Sequence, residues 1–223
     1  MSPTAAFLAG IYPQLYHMGH ANSWPSIEKH GLLSTKALLD LFEIVPAQRE
    51  KLEACRRPES IAIEHPAYGR AILRDQKPLN EKKLAKSLQG DLSPRDWLLL
   101  LNSRVFFWGP VHRLGDLQGA RAYRAKRQTI IVVDTKKLLE RYEQRVLLSH
   151  MNTGSTQRMA FPRGDDTFLP LNKYPLVERR RKYGMKGAVA EITIDYAIPD
   201  VRELATLVYE VGGEAPQETL WSI

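Results

Sequence analysis

"LYHMGHANSWPSIEKHGLLST", residues 15–35, turns from a strand into a helix within a few positions, and the rest of the chain is read outward from that junction. "QLYHMG" has the aromatic and apolar content of a short strand. Asn22 or Ser23 then offers a helix N-cap, Pro25 suits the first helical turn, and Gly31 is placed to end the helix. Three histidines fall in this stretch, which raises a metal site. His17 and His20 lie three apart on the strand end and so point to opposite faces, which argues against a shared metal. A hydrogen-bonded structural role for His17 and a ligand contact both stay open here, and His20 and His30 read as surface or capping residues.

Further along, Ser34 caps a helix whose apolar face is Ala37, Leu38, Leu41 and Phe42, and Pro46 starts a third helix in "PAQREKLEAC". "SIAIEH" alternates like a strand with "GRAILRD" as its partner. "LSPRDWLLLLN" is a capped helix, with Ser93, Pro94 and Asp96 in the order a helix start requires. "SRVFFWG" is a buried strand, and three consecutive aromatics on it must point to both faces, so one face can line a pocket. A helix through "HRLGDLQGARAYRAK" leads to "TIIVVD", a β-branched run of central-strand type; "TKKLLERYEQ" is a helix and "RVLLSH" a strand.

Residues 150–175 show little periodicity and many turn formers, and loops of that length in a compact domain are functional or disordered. The basic run "VERRRKYGMK" reads as a helix closed by Gly184, and "GAVAEITIDYAI" and "LATLVYEV" as strands. Short strands and helices without a βαβ rhythm predict an α+β fold with a split or mixed β-sheet core and peripheral helices. The whole of 1–223 is expected to be one domain, with an N-terminal strand-helix segment at 12–43, a candidate substrate loop at 150–175 and late strands at 187–211.

Composition narrows the function. The 223 residues are 43% hydrophobic and carry 32 Lys and Arg against 25 Asp and Glu, a net charge of +7. That excess attracts polyanions such as DNA or RNA, and serves equally as solvated surface charge. No run approaches the roughly 18 apolar residues of a membrane span, and the start lacks a signal-peptide pattern, so a cytoplasmic location is expected. The single cysteine, Cys55, excludes an internal disulfide framework and paired-cysteine zinc sites, and reads as an ordinary, partly buried thiol. Nucleophile-elbow, glycine-rich phosphate-loop and G-x-G-x-x-G patterns are missing from the sequence, which disfavours a Rossmann oxidoreductase. Glu191 stands alone in the apolar run "GAVAEITID", on the same face as Val189 and Thr193; it must reach water, a cation or a ligand. A solvent-facing position is the simplest expectation.

The order Tyr-His, Asn before a helix ending in Gly-Leu, Arg-Val-Phe-Phe-Trp, long loop, Ala-Glu resembles the ADP-ribosyltransferase superfamily, and within it the DarT-type bacterial toxins that act on DNA. The chain is also similar to an uncharacterised bacterial family sharing the Arg-Val-Phe-Phe-Trp segment. Gly19 departs from the superfamily's Thr, His20 and Asn22 lie one residue closer, and "FFWGPVHR" lacks its Arg-Ser-Pro-Met continuation. The resemblance implies an ADP-ribosyltransferase-like fold consuming NAD as a substrate, without metal. It implies that His17 binds the nicotinamide ribose with Asn22 nearby, and that Tyr16 or Phe107 packs near the ring. Glu191 is then the catalytic carboxylate, with Arg104 at the diphosphate or the acceptor. The 150–175 loop, with Arg158 and Arg163, would select the acceptor, while Arg179, Arg180 and Arg181 would guide nucleic-acid phosphates. An antitoxin or a reversing hydrolase is the implied partner. An RNA 2'-phosphotransferase-like enzyme and a catalytically silent nucleic-acid-binding module remain alternatives.

Overall fold

The computed structural model describes residues 1–121, 123–157 and 161–223, with the backbone alone at Leu117. In chain order its first half comprises α1 (Pro3–Ile11), β1 (Gln14–His20), α2 (Trp24–His30), β2 (Leu32–Leu33), α3 (Thr35–Leu41), α4 (Pro46–Glu53), β3 (Ile61–His65), β4 (Gly69–Leu73), α5 (Glu81–Ala85), α6 (Pro94–Asn102) and β5 (Arg104–Phe107). Then follow α7 (Val111–Gly119), β6 (Gln128–Asp134), α8 (Thr135–Tyr142), β7 (Val146–Ser149), β8 (Leu169–Pro170), α9 (Leu176–Ala188), β9 (Glu191–Asp195), β10 (Ala197–Ile198), α10 (Val201–Leu204), β11 (Ala205–Val211) and β12 (Glu218–Ser222).

These elements form a mixed α+β fold with a split sheet. One four-stranded antiparallel sheet has the order β1-β6-β11-β12 and the other β5-β9-β7-β8; β2 with β10 and β3 with β4 make two small ladders. Among the described residues one backbone bridge joins the large sheets, where Tyr16 and Trp108 exchange both hydrogen bonds at 2.9 Å. The main core fills one side of the seam with Leu15, Phe107, Ile131, Val133, Ile192 and Ile194, all essentially inaccessible to water. β6 is buried along nearly its whole length because a strand paired on both sides and covered on both faces needs apolar residues throughout.

Local signals explain most boundaries. Ser93 and Asp96 complete a reciprocal capping box on α6, and the Ser34 hydroxyl caps α3 by accepting from the Ala37 N–H at 3.1 Å. Gly31 ends α2 at φ +87°, where a Cβ would lie 2.6 Å from Pro199 Cα, so a side chain there would strain both backbone and packing. Gly184, at φ +67°, breaks α9, although helix resumes to Ala188.

Several expectations are corrected. α7 stops at Gly119, because Tyr123 is pulled into the interior to donate its hydroxyl to Asp75 at 2.8 Å, and that anchor overrides helical continuation. On α3 the buried positions are Ala37 and Leu39, with the C-cap Phe42; Leu38 and Leu41 are only partly covered. Cys55 is exposed rather than partly buried. The 150–175 stretch contains a 3₁₀ turn at Asp165–Thr167 and the short strand β8, which pairs with β7. α1 and β12 have no counterpart among the predicted elements. Ser2 caps α1 and Ala5, Leu8 and Ile11 are buried, whereas β12 is a largely exposed edge strand held by pairing across a bulge rather than by an apolar face.

Candidate functional site

The seam between the large sheets opens into a cleft of about 320 Å³, within the size range of small-molecule sites. β1 supplies His17, β5 supplies Arg104 and Phe106, β9 supplies Glu191, and the hairpin strand β4 leads to Arg74. The register of β5 on β9, which pairs Phe107 with Ile192, places Glu191 across from the seam residue Trp108 when it is continued by one step. The other end of the cleft is apolar, lined by Ile27, Leu32, Leu38 and Ile72.

Glu191 is 3% exposed, so the expectation of a solvent-facing carboxylate is overturned. Its Oε2 accepts from the Thr153 hydroxyl at 2.6 Å and from the Thr153 N–H at 3.2 Å; Oε1 takes no hydrogen bond from any described residue. Burial pushes its pKa up to about 7, against the opposing pull of the Thr153 donors and of the Arg113 and Arg163 charges. Near neutrality it can therefore take or give a proton.

His17 shows the opposite shift. Burial, with Arg74 adding a smaller like-charge effect, lowers its pKa to about 4 against the hydrogen bond to Phe106. The neutral ring donates from Nδ1 to the Phe106 carbonyl at 2.9 Å, which leaves Nε2 as an acceptor. Phe107 packs edge-on against it, ring centroids 5.9 Å apart.

Two guanidiniums complete the site. Arg104 lies over the Phe168 ring at 4.8 Å, and its buried Nε has no hydrogen-bond partner among the described residues. Arg74 lies over the Tyr123 ring at 5.0 Å and donates through Nη1 to the Met18 carbonyl at 2.7 Å. Burial lowers the pKa of each. Neither has a carboxylate within 4 Å among the described residues; the adjacent Asp75 accepts from Tyr123 and pairs with Lys126. Asp75, which also lines the cleft, acts on Arg74 and Asp195 acts on Arg104 at longer range, but two arginines without a contacting carboxylate in a concave site favour a bound anion.

Asn22, at the cleft mouth, adopts the left-handed conformation at φ +61°, which asparagine tolerates better than most residues. Its N–H donates to Glu210 Oε1, which also accepts from the Thr129 hydroxyl at 3.0 Å. A Cβ at Gly19 would lie 2.6 Å from Ser23 Oγ, a hydroxyl that can rotate away.

His17, Asn22, Arg104 and Glu191 thus converge on one cleft; the other sequence candidates do not. Phe107 faces the core at 0% exposure, and the strand alternation turns Phe106 and Trp108 to the cleft instead. Tyr16 points away from His17 and packs beside Met18, Ile130 and Val132. Arg163 is buried at 1% exposure, where it donates to Ser87 Oγ and to the carbonyls of Ser155 and Phe161; it pins its loop and has no access to an acceptor. Arg158 lies outside the described residues. Arg179 donates to the Ala188 carbonyl, Arg180 lies over Phe7, and Arg181 is exposed; none of the three lines the cleft. Sequence reasoning missed Arg74, although "RAILR" alternates so that Arg70, Ile72 and Arg74 share a face. It also missed Thr153, whose aperiodic loop carries no local signal.

Among the described residues no group of three or more His, Cys, Asp or Glu is arranged to hold a metal ion, and no helix is long and apolar enough to cross a membrane. Comparison with known proteins gives a family without an assigned reaction. The model of a family of unknown function, DUF7002, matches residues 13–205, and the chain belongs to that family. No curated protein matches. Among solved structures, the chain is similar to Thermosipho africanus DarTG in complex with ADP-ribose, at 13% identity and a TM-score of 0.42 over 88% of this chain. It spans only 43% of that chain.

Proposed function

We propose that this chain is an NAD-dependent ADP-ribosyltransferase whose acceptor is nucleic acid. The observation that carries the reading is the meeting of Glu191 and His17, distant in sequence, in one cleft that also holds two arginines without carboxylate partners. The order of the motifs, which resembles the ADP-ribosyltransferase superfamily, supports the same reading.

The residues divide the work by their chemistry. Arg74 and Arg104 neutralise the diphosphate, and the apolar end beside Leu32 and Ile72 takes the adenine. His17 Nε2 accepts from a hydroxyl of the nicotinamide ribose, held in that orientation by the Phe106 carbonyl and the Phe107 ring. The bond between ribose C1 and the nicotinamide nitrogen breaks with its electron pair leaving on nicotinamide. The acceptor atom bonds to C1, and its proton passes to Glu191, whose ionised form also stabilises the positive charge on the ribose. A pKa of about 7 suits both tasks at neutral pH. Thr153 holds the carboxylate by one oxygen and leaves the other to the substrate.

Incubation of the purified chain with NAD and single-stranded DNA, RNA or protein acceptors tests this, with free nicotinamide as the readout. Release is expected, and Glu191→Gln should lower it by about 10²- to 10⁴-fold, the usual contribution of a positioned acid-base group. Protein that neither binds NAD nor releases nicotinamide with any acceptor overturns the proposal. The mass of the product separates ADP-ribosyl transfer from 2'-phosphate transfer, which the two cleft arginines would also serve.

A further inference from the structure

A second concavity, of about 550 Å³, lies beside the cleft, and nothing so far gives it a role. Arg56, Lys77, Lys82 and Lys83 line it, with Glu81 as the one carboxylate among its described lining residues. Lys77 is partly neutralised by Glu59 at 2.7 Å, but Lys82, Lys83 and Arg56 form no ion pair with any described residue. Arg56 Nη2 donates to the Lys77 carbonyl at 3.3 Å, and its buried Nε has no partner among the described residues. The Leu79 side chain is turned into the core, so the groove offers cations and amides and few apolar contacts.

The groove and the cleft are neighbours through Pro78, which lines both. One short loop contributes to both: Asn152 and Gly154 line the cleft, and Gln157 lines the groove. That loop is tied to the segment carrying the cations, because the Asn80 N–H donates to Thr156 Oγ1 at 2.7 Å and the Thr156 N–H to the Pro78 carbonyl at 3.1 Å. The segment that carries Lys82 and Lys83 is therefore bonded to the same loop whose Thr153 holds Glu191. The larger basic cluster on α9 has no such continuity, since Arg179, Arg180 and Arg181 line neither concavity.

We infer that the groove of Arg56, Lys77, Lys82 and Lys83 is a binding site for the backbone phosphates of a single-stranded nucleic acid, and that it leads one unpaired nucleotide past Pro78 into the cleft. This rests on the ADP-ribosyltransferase reading only for what happens in the cleft; the groove itself stands on its own charge and shape. A single strand fits because a base must be free of its partner to reach a recessed carboxylate such as Glu191, and a polar cationic track holds phosphates without reading sequence. An acidic protein segment would want apolar pockets between the charges, and the groove has few.

The test uses the full chain and fluorescent 12-nucleotide oligothymidylate and oligouridylate over a salt series. Lys82 and Lys83 are exposed on the surface of α5, so the double variant Lys82→Gln/Lys83→Gln is expected to fold and to keep NAD affinity unchanged. It should weaken oligonucleotide binding by about 10-fold and flatten the log–log salt slope by about 1.4, two cations at about 0.7 each for single strands. Arg180→Gln/Arg181→Gln should leave both unchanged. The inference is overturned if the α9 variant, and not the α5 variant, loses binding, or if polyglutamate competes as well as the oligonucleotide does. Oligonucleotide binding that runs through the lysines without any cleavage of NAD keeps the groove and removes the transferase reading. Nicotinamide release that ignores the lysines does the reverse.

Discussion

Glu191 and Glu210 are both strand glutamates, 3% and 4% exposed, and each accepts from a threonine hydroxyl and from a backbone N–H. Their pKa values move in opposite directions. Burial raises both, but at Glu210 the Asn22 N–H, the Thr129 hydroxyl and Arg127 together outweigh it and hold the carboxyl below its ordinary value. Arg127 Nε lies 2.9 Å from Glu210 Oε2, so every lone-pair direction that matters is answered by a donor. Glu191 has both donors on one oxygen and no cation in contact, and it rises to about 7. Burial alone therefore does not mark a reactive carboxylate; burial with an unanswered oxygen at a cleft does. Glu210 serves a different end, fixing the left-handed turn at Asn22 and so the cleft mouth.

Glutamine at each position breaks the comparison most strongly. Glu210→Gln removes one carboxylate partner of Arg127, which keeps Glu218 at 2.9 Å and the Pro216 carbonyl at 3.0 Å, so the loss is that of a charge-assisted hydrogen bond, about 2 kcal/mol. Because the folded pKa of Glu210 is depressed, its contribution is present above the ordinary carboxylate pKa of 4.5 and is lost as pH falls through the folded value. Chemical denaturation should thus show the variant destabilised at pH 8 and much less so at pH 3. Equal destabilisation at both would sink the electrostatic account of Glu210.

Glu191→Gln should act with the opposite sign. Its raised pKa means that the stability linked to this group is fully present below 4.5 and declines as pH rises through about 7. The interval from 4.5 to about 7 corresponds to about 3 kcal/mol. Glutamine mimics the protonated form and keeps an oxygen for both Thr153 donors, so the variant should be more stable than the parent by about 3 kcal/mol at pH 8, and no different at pH 4. Combined with lost nicotinamide release, that gain is the signature of a site held at the expense of stability. A destabilised Glu191→Gln at pH 8 would place Glu191 with Glu210 as a structural residue.

The same contrast explains what was legible in the sequence. Strand alternation and helix punctuation are written in neighbouring residues, so β1, α6 and β6 are recovered close to their boundaries, and α2 through Pro25 and Gly31 although neither Asn22 nor Ser23 makes a side-chain cap. A lone glutamate in "GAVAEITID" was visible as an anomaly, yet "VYEV" around Glu210 carries the same anomaly and has a structural meaning. The difference lies in Arg127 and Thr153, one paired across β6 and β11 and the other in an aperiodic loop, and neither contact leaves a local trace. Phe107 failed as a site residue for a simpler reason: strand parity sends it to the core, with Arg104 and Phe106 on the other side, and only the absolute face was unknown. Arg163, expected to help select the acceptor, is instead buried, and nothing nearby in sequence announces Ser87, Ser155 and Trp97 as its surroundings.

Thr153→Val sharpens the comparison at the smallest scale. The substitution removes the 2.6 Å hydroxyl donor to Glu191 and keeps the backbone N–H, so the carboxylate loses one of the few groups that favour its charge. One hydrogen bond of this kind contributes about 1 kcal/mol. In the parent, kcat/KM for NAD should rise with pH along a limb centred near 7, set by Glu191; His17, lowered to about 4, should add no second limb between pH 5 and 9. In the variant the Glu191 limb should move up by about 0.7 pH unit, the equivalent of that 1 kcal/mol, which lowers the rate at pH 7 by about threefold and leaves the rate at pH 9 close to the parent's. A uniform loss at every pH would mean that Thr153 acts through loop position and not through the charge of Glu191. A limb that stays at its original pH would assign the titration to another group in the cleft.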